Sequence, residues 1–263
     1  MASPMLAIST TGPTNFGSFT GAPAKASTPY GLPITENCQT CKLRNGNFFC
    51  SLSESLMKTM DQIKHSTSYP EGALVFMEGQ AARGVYLICQ GKVKLMTTNR
   101  EGKTLIMKIA GAGEVLGLHS VVSNVPHELT VETLQPTQLA FINRDDFLRL
   151  IRTHGEACLH AAQHISRDCQ SAYEVIRSIG LSHSVSEKLA RLILQLASDG
   201  REVDGAVRVK LALTHEEMAQ LIGSSRETVT RTLSDFKKKK IAELVGSTLV
   251  VRNKLALERM TAI

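Results

Sequence analysis

Apolar residues along this chain change rhythm several times, and each rhythm predicts a different kind of element. From about Tyr69 to Phe141 they come in short runs such as 73–76, 85–88 and 93–96. Gly72, Gly79, Gly91, Gly102 and Gly113 fall between them. Regular short strands with turn signals predict an all-β sandwich or roll, and Asn99-Arg100-Glu101-Gly102 has the composition of a hairpin loop. From about Asp145 to Ile179 the rhythm becomes helical, with a break expected near Gly155. Within that stretch Cys158, Ala162, Ile165, Cys169, Ala172, Ile176 and Ile179 alternate spacings of four and three, the seam of a coiled coil. A lone helix with such a stripe needs a partner. A second, symmetric copy is the simplest one, and the β-roll of the same chain is the other. A further helix over 184–198 opens with the capping box Ser184/Glu187, closes at Gly200, and carries Val185, Leu189, Leu192, Ile193 and Leu196 on its core face.

The stretch from Thr214 to Arg231 carries the most specific pattern. Thr214 with Glu217 and Ser224 with Glu227 form two expected capping boxes, each opening a helix. Met218, Leu221 and Ile222 on the first helix can meet Val229 and Leu233 on the second. Ala219 is small where the helices cross, and Gly223 can take the left-handed turn between them. The start of the second helix presents Arg226, Glu227 and Arg231. That end of the second helix enters the DNA major groove in helix-turn-helix proteins. Arginine suits bidentate bonding to guanine, and glutamate accepts from the cytosine amino group. Glu227 and Arg231 as a mere surface ion pair is the plainer reading, but the caps, the small residues and the wing downstream all agree with the sharper one. The basic run 237–240, with Lys237 and Lys238 foremost, can lie against phosphates. Residues 241–245, the turn Gly246-Ser247, and 248–251 read as a β-hairpin, the wing.

Charge supports this placement. Residues 201–263 hold twelve Lys and Arg against eight Asp and Glu, so four of the chain's six net positive charges fall there, where a nucleic-acid contact would use them. At 263 residues the chain has room for two modest domains. No apolar run approaches the roughly 20 residues that cross a bilayer, and the N-terminus has neither the basic region nor the apolar core of a secretory signal. A cytoplasmic location is therefore expected, and six cysteines in such a chain argue against a disulfide framework. No Ser/His/Asp set, acid pair or phosphate loop is evident. An enzyme using Cys38 and Cys41 as a redox dithiol would need a helix N-terminus and a βαβ context, neither of which is evident.

The expected organisation is α+β. A disordered tail (1–35), rich in Ser, Thr, Pro, Gly and Ala, precedes a double-stranded β-roll (36–150), a dimerisation helix (151–180) and a winged helix-turn-helix (181–263). That order resembles the CRP/FNR superfamily of bacterial regulators over nearly the whole chain after residue 35. The run Ser225-Arg226-Glu227-Thr228-Val229-Thr230-Arg231 is similar to the recognition helix of its catabolite-activator branch. The resemblance implies that Arg226, Glu227 and Arg231 read a TGTGA-like half-site and that Thr214 and Ser225 touch phosphate. It also implies double-stranded DNA, a second copy of the chain and RNA polymerase as partners.

The sensor departs from the cyclic-AMP-binding members. Where they carry a ribose-binding glutamate this chain has Leu118. Their phosphate-binding arginine falls at Glu128, and their adenine-touching Thr-Ser pair falls at Tyr173-Glu174. A carboxylate repels a cyclic phosphate, so cyclic AMP is not the expected effector. A cyclic-nucleotide sensor module is the rival reading, and fold alone does not fix the ligand. Cys38, Cys41 and Cys50 resemble the N-terminal ligands of iron–sulfur members, and close thiolates suit a [4Fe–4S] cluster. The second spacer is longer than in those members, however, and the position of their fourth ligand holds Ala140. Cys89, on a predicted strand, is a candidate substitute for that ligand, though no spacing rule supports it. An iron–sulfur cluster, a zinc or thiol redox switch, and purely structural cysteines all remain open. Cys158 and Cys169 read as small seam residues. His160 and His164 have the i,i+4 spacing of metal ligands but fall at outward heptad positions, where solvation is expected.

Overall fold

The computed structural model describes residues 28–34, 37–44, 48–181, 184–198, 200–203, 205–211 and 213–261. Most of the expected tail, 1–35, lies outside these. A short 3-10 turn, Phe48–Ser51, leads into α1 (Glu54–Ile63). Eight strands follow, with one short helix among them: β1 (Lys64–Tyr69), β2 (Leu74–Phe76), β3 (Gly84–Gln90), β4 (Lys92–Thr98), β5 (Thr104–Gly111), β6 (Val115–Leu116), α2 (Leu118–Ser123), β7 (Thr130–Thr133) and β8 (Thr137–Asn143). They form two antiparallel sheets, ordered β1-β8-β3-β6 and β2-β7-β4-β5, as the expected roll requires.

Strand β3 explains why its sequence is apolar throughout. Alternate side chains point to opposite faces of a strand. Val85 and Leu87 join one buried cluster with Phe49, Met57, Phe147 and Ala161, while Ile88 joins Phe76, Val93 and Leu139 in another. Strand β1, reading Lys-His-Ser-Thr-Ser-Tyr, has no such signal. It pairs only with β8, at the sheet edge, and burial imposes little on an edge strand's composition.

The helical stretch is broken where expected. Helix α3 (Arg144–Thr153) ends at His154, whose backbone is extended, and α4 (Gly155–Leu181) starts anew. The Asn143 side chain caps α3 by accepting from the Asp146 N–H at 2.9 Å. Helix α5 (Val185–Ala197) opens at Ser184, whose hydroxyl accepts from the Glu187 N–H at 3.1 Å. Its Leu189, Leu192 and Ile193 are buried, with Val185 and Leu196 packed against them.

The last part comprises β9 (Arg201–Val203), β10 (Ala206–Lys210), α6 (His215–Ile222), α7 (Arg226–Lys238), β11 (Ala242–Val245), β12 (Thr248–Val251) and α8 (Lys254–Thr261). The expected wing, β11 and β12, belongs to a four-stranded sheet ordered β11-β12-β10-β9. One core joins Met218, Ala219 and Ile222 of α6 to Val229, Leu233 and Phe236 of α7 and to Leu249 and Val251 of the wing.

Two local expectations are corrected. The cap of α7 is Ser225, not Ser224: the Ser225 hydroxyl accepts from the Thr228 N–H at 3.3 Å. The Ser224 N–H instead closes α6 by donating to the Ala219 carbonyl at 2.9 Å. His164 is 2% exposed rather than solvated, and His160 is half-buried near the Phe49 ring. Helix α4 carries a second packed face, on which Ala157, Ala161 and Ile165 join the roll's core. A heptad count describes only the first face.

Candidate functional site

Helix α7 is built to offer one face. Val229, Leu233 and Phe236 anchor it in the core, which turns Arg226, Glu227 and Arg231 outward, all exposed. These three line a shallow hollow together with Thr230, Ser234, Asp235 and Lys238. The two helices are locked in register. His215 Nδ1 and Thr230 Oγ1 lie 2.9 Å apart, and the same hydroxyl donates to the Arg226 carbonyl at 2.9 Å. Gly223 makes the turn with φ 63°, a conformation that carries no penalty only for glycine. Guanidinium forks and a carboxylate on one rigid, solvent-facing rod are chemically suited to base edges.

The expected phosphate contacts sit at helix starts and along the basic run. Thr214 and Ser225 are exposed N-caps of α6 and α7, where backbone N–H groups and the helix dipole favour anions. In the capping box of α6 the Thr214 N–H and hydroxyl both donate to Glu217 Oε2 at 2.9 Å. Lys237 lies 3.5 Å from Glu243 of the wing and Lys238 4.0 Å from Asp235, both lysines staying exposed.

The expected seam divides. Cys158, Ala162, Cys169 and Ile176 are exposed, Ile176 at 62%. Ala172 is half-buried, Ile165 packs on the roll's core, and Ile179 lies beside the Gly223 turn. Nearby Leu159 and Tyr173 are exposed as well, so much of the apolar surface of α4 has no cover within the chain.

The roll holds two polar assemblies that sequence reasoning missed. Lys108 pairs with Glu114 and, at 2.8 Å, with Asp168. The Val115 N–H donates to His164 Nε2 at 2.9 Å, and His164 Nδ1 faces Asp168 at 3.1 Å. Glu114, His164 and Asp168 lie close enough to hold a metal ion. The Lys108 ammonium already fills the cation's place among the carboxylates, and both ring nitrogens of His164 are engaged. The second assembly ties Lys94 to Glu132 at 2.9 Å and to Glu217 at 3.0 Å, joining the roll to α6. Residues 38 and 123 positions apart leave no spacing pattern to read.

The positions at which the resemblance to cyclic-AMP-binding members places nucleotide contacts can be read one by one. Leu118 is 2% exposed and part of the core. His127 is buried, stacked on Phe76 with ring centroids 3.8 Å apart, and its burial pushes the imidazole below its ordinary range. Glu128 faces His119 at 3.3 Å.

The N-terminal cysteines converge, and a fourth joins them. Cys38, Cys41, Cys50 and Cys89 line one small cavity with Arg44, Phe49 and Met57. Ala140, where the resemblance to iron–sulfur members would place a fourth ligand, lies on β8 opposite Leu87 of β3, two residues before Cys89. Burial raises Cys38, despite Lys64 beside it, and pushes Cys50 up to about 11 and Cys89 up to about 12.

The chain is similar to known proteins along most of its length. Residues 66–154 match the cyclic nucleotide-binding domain family, and residues 187–260 match the Crp-like helix-turn-helix domain family. It is 27% identical over 218 residues to the CRP-like cAMP-activated global transcriptional regulator of Mycobacterium tuberculosis, covering 82% of this chain and 97% of that one. It is 27% identical over 192 residues to the cyclic AMP receptor protein of Thermus thermophilus, covering 73% and 86%. The fold matches FixK2 from Bradyrhizobium japonicum with a TM-score of 0.68 at 21% identity, covering 76% of this chain and 98% of that one.

Proposed function

This chain belongs to the CRP/FNR superfamily of transcription regulators, and from that premise we propose that it acts as a homodimer reading a TGTGA-like palindrome, with the sulfur-lined cavity of its roll as signal input. It is a DNA-binding regulator and not an enzyme. The observation that carries the specific reading is the outward set Arg226, Glu227 and Arg231 on a helix whose opposite face is fixed in the core. Two copies joined along α4 would present two such sets about 34 Å apart, one per half-site. Exposed Ile176, Leu159 and Ala162 support that joining. RNA polymerase is the proposed further partner and the cytoplasm the proposed location; among the described residues no helix is long and apolar enough to cross a membrane.

A signal in the roll reaches DNA by shifting the population between two dimer geometries, which it can do only by binding one of them better. Helix α4 touches both the roll's core and the Gly223 turn, so it is placed to carry that shift. The test is fluorescence anisotropy on a palindromic TGTGA duplex against a scrambled one. Tighter, salt-sensitive binding to the palindrome is expected; equal affinity for both ends the specific reading.

The names of the relatives favour a second input, cyclic AMP. Leu118 in the core and the carboxylate of Glu128 oppose it here. Isothermal calorimetry with cyclic AMP separates the two: no heat of binding is expected, and tight binding would transfer the input from the sulfurs to the nucleotide.

A further inference from the structure

We infer that Cys89 is the fourth ligand of an iron–sulfur cluster completed by Cys38, Cys41 and Cys50. The inference rests on the sulfur cavity being the input site and is independent of the DNA reading. Three separate pieces of chain bring the four sulfurs to one cavity: the loop carrying Cys38 and Cys41, the 3-10 turn carrying Cys50, and the end of β3. The β3–β8 pairing shifts register between Ile88 and Gln90. Cys89 is thus the extra residue of a bulge, a feature that re-aims a side chain and recurs beside functional sites.

The surroundings suit a negatively charged group with sulfur ligands. Lys64 Nζ lies 2.9 Å from Cys38 Sγ, and Asp61 holds that lysine at 2.6 Å while accepting from the Cys38 N–H at 3.0 Å. The Leu43 N–H donates to Cys41 Sγ at 3.4 Å, the kind of bond to sulfur that tunes a cluster. Arg44 is fixed at the cavity wall by donating to the carbonyls of Leu52 at 2.8 Å and Cys50 at 3.3 Å. Two cations therefore flank four thiols, and Phe49, Met57, Leu87 and Ile88 keep the rest of the wall apolar.

The spread of the sulfurs favours a cluster over zinc. A single tetrahedral zinc draws its four sulfurs to about 3.8 Å from one another, given Zn–S bonds of about 2.3 Å. Among the described residues, the donors that gather within 4.8 Å of one another in a group of three are Glu114, His164 and Asp168, and no cysteine trio does so. A cluster of several irons, each taking one thiolate at a corner, holds its ligands wider apart and accepts four cysteines.

The test uses the full chain purified without oxygen, with iron, acid-labile sulfide and zinc measured per chain and the visible spectrum recorded. Iron and sulfide in equal amounts are expected, with a brown colour. Cys89→Ser, close in size to the native residue, and Cys89→Ala should each lose at least half the iron and sulfide, while Cys158→Ser and Cys169→Ser retain them. Circular dichroism melting and anisotropy on the palindromic duplex, run on the same preparations, separate a lost cluster from a lost fold or a lost DNA site. About one zinc per chain without sulfide, or no metal at all, overturns the cluster. Full iron content in a folded Cys89 variant overturns the fourth ligand, whatever the DNA result.

Discussion

Lys94 of the roll and Glu217 of the helix-turn-helix meet at 3.0 Å, although 123 positions separate them. The same carboxylate caps α6 through Thr214, so one side chain serves both the local fold of the helix-turn-helix and its attachment to the roll. Burial works against both charges, yet the partners outweigh it. Glu132 and Glu217 hold Lys94 above its ordinary range, and Thr214 with Lys94 holds Glu217 below the usual carboxylate range.

Because the two side chains are only 11% and 14% exposed, the pair should be energetically coupled. Lys94→Met leaves Glu132 and Glu217 facing each other without a cation. A double-mutant cycle of Lys94→Met with Glu217→Gln, followed by urea unfolding, should give a coupling of about 0.5–3 kcal/mol. Strictly additive losses would show that the contact links nothing.

The corrected cap gives a second prediction. Ser225→Ala removes the acceptor for the Thr228 N–H and should destabilise by about 0.5–2 kcal/mol. Ser224→Ala removes no cap, because the role of Ser224 there is played by its backbone N–H, and should stay within about 0.5 kcal/mol. Thermal melts of the two variants side by side decide it; equal losses would restore Ser224 as the cap.

How far the sequence could be read depended on how local each signal was. The two helices at 214–231 and the wing announce themselves through caps, turns and periodicity within a few residues, and they lie where the pattern placed them. The heptad stripe falls on one helix as expected, but its residues divide between solvent and the chain's own core. Strand β1 was invisible because an edge strand of Lys, His, Ser and Thr has no apolar alternation. Strand β9 was missed for a similar reason: Arg201–Val203 is wholly exposed, and only pairing with β10 makes it a strand. Strand β10 does alternate, Val207 and Val209 packing on the core in alternation with exposed Arg208 and Lys210. His164, Lys94 and Cys89 acquire their roles from partners 49, 123 and dozens of positions away. No spacing rule reaches that far.

The network around Asp168 predicts a pH dependence. Burial opposes its charge, but the His164 bond and Lys108 outweigh it, holding the carboxyl below its ordinary range. The unfolded chain therefore takes up this proton at a higher pH than the folded one. The resulting stability is fully present above the ordinary aspartate value, about 3.9, and is lost as pH falls through the lower folded value. Asp168→Asn should be less stable at neutral pH and should flatten the acid limb of a plot of urea midpoint against pH, Glu114 and Lys108 being left in place. An unchanged acid limb would assign that dependence to other groups.

Exposed Ile176 gives the dimer its test. A glutamate there would place like charges face to face across a two-fold seam and desolvate them on association. Ile176→Glu should sediment as a monomer with an unaltered melting curve for secondary structure, and should lose affinity for the full palindrome more than for a half-site. A variant that remains dimeric would move the interface off this part of α4.

Reading and gripping should separate on α7 itself. Arg226 and Lys238 both line its outward hollow, yet a guanidinium aimed at a base edge and an ammonium against phosphate obey different laws. Arg226→Ala should cost about 1–3 kcal/mol on the TGTGA palindrome and much less on a duplex altered at the base pair it reads, since the lost bonds belong to one base. Lys238→Ala should weaken every duplex alike, because phosphates are the same everywhere, and should lower the slope of log affinity against log salt by about 0.9 for each contact removed. Lys238 already sits 4.0 Å from Asp235. Contact with phosphate would therefore have to exchange that carboxylate for a stronger anion, and Asp235→Asn should tighten binding to all sequences. Anisotropy titrations of the three variants at several salt concentrations test the assignment. A uniform, salt-dependent loss for Arg226→Ala would make it one more phosphate contact and leave the base reading to Glu227 and Arg231.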